Sequence, residues 1–339
     1  MKKVALVGYG YWGPNLARNF SELATLSLVC DLDKAKLDKF HALYPNIRVT
    51  TKFEDVLKSD ADAVAIATQP STHYLLAKQV LEANKHVFVE KPLALKSKDA
   101  KELADLAKAK KKILMVGHTF EYNPSVVKVK EIIDSGELGE IYYVYGQRLN
   151  LGLWQPDCNV VWDLAPHDLS ILFYWLNKEP KTISCQAKAH VQKGKEDVAF
   201  ITLNFDGGKI AHLHVSWLDP AKVRKMVVVG SKKMLIFDDI REGETVRIIE
   251  RAAKVHGEAK TFQEFKMSYH QGETRVIPID KKEPLKQACR HFIDCIENGR
   301  QPKSNGASGL RVVKALEAID RSIRQQGKEV PVSDKGSNL

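Results

Sequence analysis

The chain has 339 residues, 44% hydrophobic and 28% charged, which is the make-up of a folded protein too long for a single core, so two domains are expected. The formal net charge of +10 fits a nucleic-acid surface, a solvated basic surface or a field that attracts a polyanionic small molecule. The one dense lysine cluster, Lys108 with Lys110, Lys111 and Lys112, falls where a helix should end and complements its dipole, so nucleic acid is set aside as a partner. Five cysteines, an odd number with no CxxC pair, argue against a disulfide framework and a structural zinc site and fit a reducing cytoplasm.

Met1–Val7 begins like a signal peptide, but its apolar run stops at Gly8. No stretch approaches the roughly 18 apolar residues of a membrane span, so no membrane association is expected. Val4–Val7 reads instead as a buried first strand, followed by a glycine-rich turn and a helix with Pro14 in its first turn. Further strands are expected at Leu26–Cys30, Ala63–Ala67, His86–Val89 and Ile113–Val116. Helices are expected at Asp33–Leu43, Thr72–Ala83 and Ser97–Lys110. This alternation indicates a doubly wound parallel sheet of the Rossmann type over residues 1–120.

The pattern then changes. Helices are expected at Pro124–Ser135 and Leu164–Leu176. Strands follow at Val198–Phe205, Lys209–Leu218, Lys225–Val229 and Met234–Phe237, with hairpin turns at Asp206–Gly208 and Gly230–Lys233. Two helices, Leu285–Glu297 and Gly309–Arg324, close the chain. Residues 121–330 therefore read as an α/β domain with an open, largely antiparallel sheet, and 331–339 as a flexible tail.

Gly8-Tyr9-Gly10-Tyr11-Trp12-Gly13 follows a strand and opens a helix. The first glycine permits the tight turn, the second lets backbone approach a pyrophosphate, and the third lets helix pack on strand. Asp31 ends the second strand, where an acid accepts from the adenosine ribose hydroxyls and repels a 2′-phosphate. NAD is expected as cofactor ahead of NADP.

Two further groups carry chemistry. Glu90-Lys91-Pro92 ends the strand His86–Val89, and ligands sit beyond the carboxyl ends of such strands. Lys91 there can hydrogen-bond a reacting hydroxyl, although spacing alone equally describes a solvated lysine in a turn. In Trp162-Asp163-Leu164-Ala165-Pro166-His167-Asp168, Pro166 is expected in a helix's first turn with Asp163 as its cap. Asp163 and His167, four apart, share a face. An acid beside an imidazole suits a general base, and equally an N-cap with a buried histidine. His212 and His214 also share a face, but with no third ligand in view no metal is expected.

These motifs occur in the order found in the glucose–fructose oxidoreductase, inositol dehydrogenase and rhizopine-catabolism (Gfo/Idh/MocA) family, and the chain resembles it to about residue 325. Thr68-Gln69-Pro70 with His73, Gly117-His118 and Asn123-Pro124 complete the match. The resemblance implies that Thr68, Gln69, Pro70, His73 and Glu90 join Gly8–Gly13 and Asp31 at the cofactor. It implies that Lys91 and His167 flank the reacting hydroxyl with Asp163 close by. It also implies homodimers or homotetramers built through the C-terminal sheet.

Arg148-Leu-Asn150, Asn159 through Asp168, and Ser216-Trp-Leu with Lys222 and Arg224 look like the nucleotide-sugar branch. In that branch a UDP-N-acetylhexosamine or its uronate is oxidised at the 3-hydroxyl. Substrate contacts are then expected from Lys91, Asn123, Arg148, Asn150, Asn159, Asp163, His167, Lys222 and Arg224, with Lys222 and Arg224 suited to a pyrophosphate. The alternatives are a dehydrogenase of a free sugar or polyol, and a non-catalytic NAD-binding regulator.

Overall fold

The computed structural model describes residues 1–333 apart from 153, 156 and 251–271. The chain divides into two compact units, Met1–Tyr122 with Lys282–Lys314, and Asn123–Lys281 with Ala315–Leu339.

The first unit alternates β1 (Lys3–Val7), α1 (Gly13–Leu23), β2 (Thr25–Cys30), α2 (Lys34–Leu43), β3 (Arg48–Thr50), α3 (Phe53–Lys58), β4 (Ala63–Ile66), α4 (Pro70–Glu82), β5 (His86–Val89), α5 (Ser97–Ala109) and β6 (Leu114–Val116). The strands pair in parallel in the order β3-β2-β1-β4-β5-β6. The order reverses between β1 and β4, and beyond their carboxyl ends such sheets bind ligands. Val4, Leu6, Ala65, Phe88 and Met115 are wholly buried because helices cover both faces.

A late helix, α8 (Pro284–Asn298), completes this core. Phe292 meets Phe20 and Phe88 edge-on at centroid separations of 6.2 and 5.7 Å. Leu285, Cys289 and Ile296 bury beside it. Aromatic burial on this scale stabilises by about 2 kcal/mol per ring. The contiguous division at residue 120 therefore needs correction, because Lys282–Lys314 returns to the first unit.

In the second unit α6 (Pro124–Asp134), β7 (Ile141–Leu151) and α7 (Val160–Leu176) precede β8 (Thr182–Lys188), β9 (Val198–Asn204), β10 (Ile210–Ser216), β11 (Leu218–Gly230), β12 (Met234–Asp238), β13 (Val246–Ile249) and β14 (Thr274–Val276). After α9 (Gly306–Arg324), a short β15 (Val330–Pro331) pairs with β8. The order is β14-β13-β12-β11-β7-β10-β9-β8-β15. All these pairs are antiparallel except β10 with β7. Gly207 and Gly208 both take positive φ, 79° and 76°, as the tight β9–β10 hairpin requires. Val332 is buried and bonds Lys181, so order runs past the point where a flexible tail was expected.

Helix α7 begins a turn earlier than Pro166 suggested. Asn159 Oδ1 accepts from Trp162 N at 3.1 Å, so Asn159 and not Asp163 caps the helix. Pro166 lies inside, where its missing N–H leaves the Trp162 carbonyl without its usual helical donor.

Candidate active site

The glycine turn after β1 has the shape a pyrophosphate needs. Gly8 takes φ +94°, and a Cβ there would stand 2.6 Å from Ala67 O. A Cβ at Gly13 would stand 2.4 Å from Gly8 O, so only glycine lets α1 pack this close. A Cβ at Gly10 meets no atom within 4 Å. That backbone is open to a ligand. No side chain caps α1, so its amino end can serve an anion. Asp31 accepts from Tyr9 N at 2.6 Å and Asp33 N at 2.9 Å. The acid is therefore fixed against the glycine turn before any ribose arrives. Tyr11 beside it is exposed and stacks on Trp12. These residues fit a dinucleotide.

Thr68 and Thr72 share a hydroxyl hydrogen bond, and Gln69 is the exposed residue before α4, with Pro70 in its first turn. His73 follows Pro70 on α4. It is fully buried, with Nδ1 2.8 Å from Pro92 O and Nε2 3.1 Å from Thr68 O. A neutral imidazole donates from one nitrogen only, to one of these two carbonyls, and so His73 braces the loop carrying Lys91. The Lys91–Pro92 peptide bond is cis.

Glu90, Lys91 and His118 lie at the carboxyl ends of β5 and β6. Glu90 is 4% exposed, and burial pushes its carboxyl up to about 7, opposed by the Lys91 charge, the Lys91 amide and the Trp12 indole. The carboxyl group lies directly over Gly117, where a Cβ would stand 2.9 Å from it. His118 is 1% exposed, and neither ring nitrogen has a hydrogen-bond partner among the described residues. Burial first, then the Lys91 charge, push it down to about 3, so it is neutral. Lys91 is half-buried beside these two groups.

In the second unit Asp163 and His167 are half-buried on a helix whose neighbouring positions, Val160, Val161, Ala165 and Pro166, are buried. Asp163 Oδ2 accepts from the indole of Trp217 at 3.1 Å. An oriented acid one turn from a reachable imidazole is suited to proton transfer.

Three residues expected at a substrate are committed within the protein. Arg148 is buried and gives Nε and Nη2 to Asp168 Oδ1. Asn159 spends its amide on the α7 cap and on Glu196. Asn123 accepts from Ser125 N and donates to Asp239 Oδ1 at 3.0 Å. Asp239 also meets Arg224 at 3.4 Å. Lys222 is exposed on β11 and Asn150 half-buried on β7. Asp239 was missed by sequence reasoning, and Trp217 and Asp168, though inside quoted motifs, were given no role, since each partner is distant in the chain. His118 had a signal, the Gly-His pair closing β6.

A parallel sheet with this glycine turn and strand-end acid defines an NAD-binding oxidoreductase. Residues 2–118 match the oxidoreductase family, NAD-binding Rossmann fold, and residues 126–236 match the GFO/IDH/MocA C-terminal domain. The chain belongs to the Gfo/Idh/MocA family. It is 24% identical over 322 residues to the UDP-N-acetylglucosamine 3-dehydrogenase of Acidithiobacillus ferrooxidans, covering 92% of this chain and 94% of that one. The solved structure of that enzyme, GnnA, superposes with a TM-score of 0.82 at 22% identity, covering 96% and 98%. GenD2 from gentamicin A biosynthesis, solved with NAD, gives 0.81 at 23%, covering 97% and 96%. Inositol 2-dehydrogenase of Salmonella typhimurium is 28% identical over 193 residues, 53% of this chain and 56% of that enzyme.

Proposed function

We propose that the protein oxidises the 3-hydroxyl of a UDP-linked N-acetylhexosamine or its uronate with NAD. The observation that carries this reading is the Asp163–His167 pair, half-exposed on α7 with the acid already oriented. The near-complete span of the match to a UDP-N-acetylglucosamine 3-dehydrogenase supports the substrate class. The net charge of +10 and exposed Lys222 suit a polyanionic substrate.

In this reading Lys91 donates a hydrogen bond to the substrate oxygen and polarises it, and His167 takes the hydroxyl proton. Asp163 steadies the imidazolium that results. Gly10 backbone and the α1 amino end hold the pyrophosphate, and Asp31 holds the adenosine ribose. When bound, the nicotinamide supplies the hydride acceptor. Five cysteines with no CxxC pair accord with a cytosolic protein.

The open face of the second sheet carries Tyr143, Phe200 and Ile210, each close to half-exposed, with His212 and His214 against Phe200. A second copy of this chain is the occupant this reading assigns to that face.

Thermal melting with NAD, NADP, UDP-N-acetylglucosamine, its uronate, inositol and glucose tests the assignment by mass action. A shift with NAD that grows with a UDP-sugar, followed by NADH formation lost in His167→Ala and Lys91→Ala, is expected. Growth with inositol or glucose alone selects a polyol dehydrogenase, the reading the inositol 2-dehydrogenase match favours. NAD binding with no hydride transfer to any sugar selects a regulator.

A further inference from the structure

The acid on α7 is held by a side chain from the sheet. Trp217 stands between β10 and β11, is 1% exposed, and donates its indole N–H to Asp163 Oδ2 at 3.1 Å. Its backbone is pinned on both sides: Trp217 N donates to Asp197 O at 2.9 Å, and Gly152 N donates to Trp217 O at 3.0 Å. Asp197 is itself fully buried and accepts from the backbone of His190 and Val191. The ring is fixed as well. Trp154 packs on it at a centroid distance of 5.2 Å. A Cβ at Gly152 would stand 2.4 Å from its Cδ1, so the indole occupies the space a side chain there would need.

An indole nitrogen donates and never accepts. Its partner oxygen must therefore accept, and Asp163 Oδ2 does so. A rigid, donor-only group aimed at one oxygen of Asp163 holds that oxygen in place. It also fixes the rotation of the carboxylate, which decides how the second oxygen is presented.

We propose that Trp217 is a positioning residue for the Asp163–His167 pair. It holds the Asp163 carboxyl group oriented so that the acid can steady the imidazole one helical turn away. The proposal rests on the reading of His167 as the base. Gly152 belongs to the same device, because any larger residue would push the indole off its line.

The test compares wild type with Trp217→Phe, Asp163→Asn, the double variant and Gly152→Ala, using NAD and UDP-N-acetylglucosamine. Trp217→Phe keeps a ring and loses the donor. It is expected to keep the thermal shift with NAD, leave KM near wild type and lower kcat about tenfold or more. The double variant is expected to be no slower than Asp163→Asn alone, since groups acting through one another are not additive. Gly152→Ala, which keeps the indole and displaces it, should reproduce the loss and keeps the test open if Trp217→Phe does not fold. Without substrate, the His167 ring resonances of nitrogen-labelled protein should move in Trp217→Phe as they do in Asp163→Asn. Wild-type kcat in folded Trp217→Phe, losses that multiply with Asp163→Asn, or unmoved His167 resonances would overturn the proposal. If instead His167→Ala keeps full turnover, the reading of the base fails; the resonances still report whether Trp217 governs Asp163.

Discussion

Arg148 on β7 donates Nε and Nη2 to the same oxygen of Asp168 on α7, at 3.0 and 2.7 Å, with both side chains under 5% exposed. Among the described residues, the second oxygen of Asp168 has no hydrogen-bond partner. Arg148 alternates along β7 with Val144 and Gly146, all buried, and so points to the helix-covered face. The pair fastens the helix bearing His167 to the middle of the sheet.

Breaking that pair from one side is expected to be costly. Arg148→Met leaves a buried carboxylate without its cation and should cost about 3–5 kcal/mol. Adding Asp168→Leu removes the stranded charge and should recover a large part of the loss, because a buried pair replaced by apolar groups is often near neutral. Urea unfolding of the two single variants and the double one measures this. Equal stability of Arg148→Met and wild type would refute it.

Stability should fall as pH rises through neutrality. Burial pushes Glu121 up to about 8 against the opposing charges of Lys303 and Arg311, and Glu90 up to about 7. Both have an ordinary value of 4.5, which the unfolded chain regains. Between 4.5 and these raised values the folded protein keeps protons the unfolded chain has released. Their contribution is therefore complete below pH 4.5 and lost as pH climbs through 7 and 8. His118, pushed down to about 3, acts the other way, costing stability as pH falls below its ordinary 6.5. Glu121→Gln should match wild type near pH 5 and melt higher than it near pH 9, by about 2 °C per kcal/mol relieved. A melting difference that does not change with pH would contradict this.

The first unit was legible because a parallel sheet buries both faces and its strands read as unbroken apolar runs. The glycine turn and Asp31 carried their own punctuation. β7 was not legible. Its sequence, Ile-Tyr-Tyr-Val-Tyr-Gly-Gln-Arg, puts aromatic residues on the open face and an arginine on the buried one, so the alternation is blurred. Pro166 misled the start of α7, because proline usually marks a first turn and here the earlier Asn159 caps. The return of Lys282–Lys314 to the first unit depends on Phe292 meeting Phe20 and Phe88, which no local period encodes. Lys91, Asp163 and His167 were singled out through motif order; the partners of Trp217 and Asp168, which lie in the same quoted motifs, needed the fold.

Self-association through the open sheet makes a separate prediction. Phe200 stacks on His214 at 4.3 Å and is close to half-exposed on β9 of that face. A glutamate there adds a charge that a closed interface would have to bury unpaired. Phe200→Glu should shift the mass measured by light scattering to that of a single chain and leave the thermal shift with NAD intact. An unchanged assembly mass would move the interface elsewhere.

Cofactor choice should turn on Asp31. Its two oxygens accept from Tyr9 N and Asp33 N, so the carboxylate is held in place by backbone and cannot swing away from a 2′-phosphate. Leu32 beside it is almost fully exposed and offers no counter-charge. Asp31→Asn keeps an acceptor for one of these amides and removes the negative charge. It should narrow the preference for NAD over NADP by about tenfold or more, roughly 1.4 kcal/mol. Asp31→Asn with Leu32→Arg adds a bidentate partner for the phosphate and should reverse the preference. Titrating each variant with NAD and NADP and following the melting temperature gives both affinities without a substrate. A wild type that binds the two equally would show that the carboxylate does not discriminate, and unchanged ratios in both variants would place the discrimination at another residue.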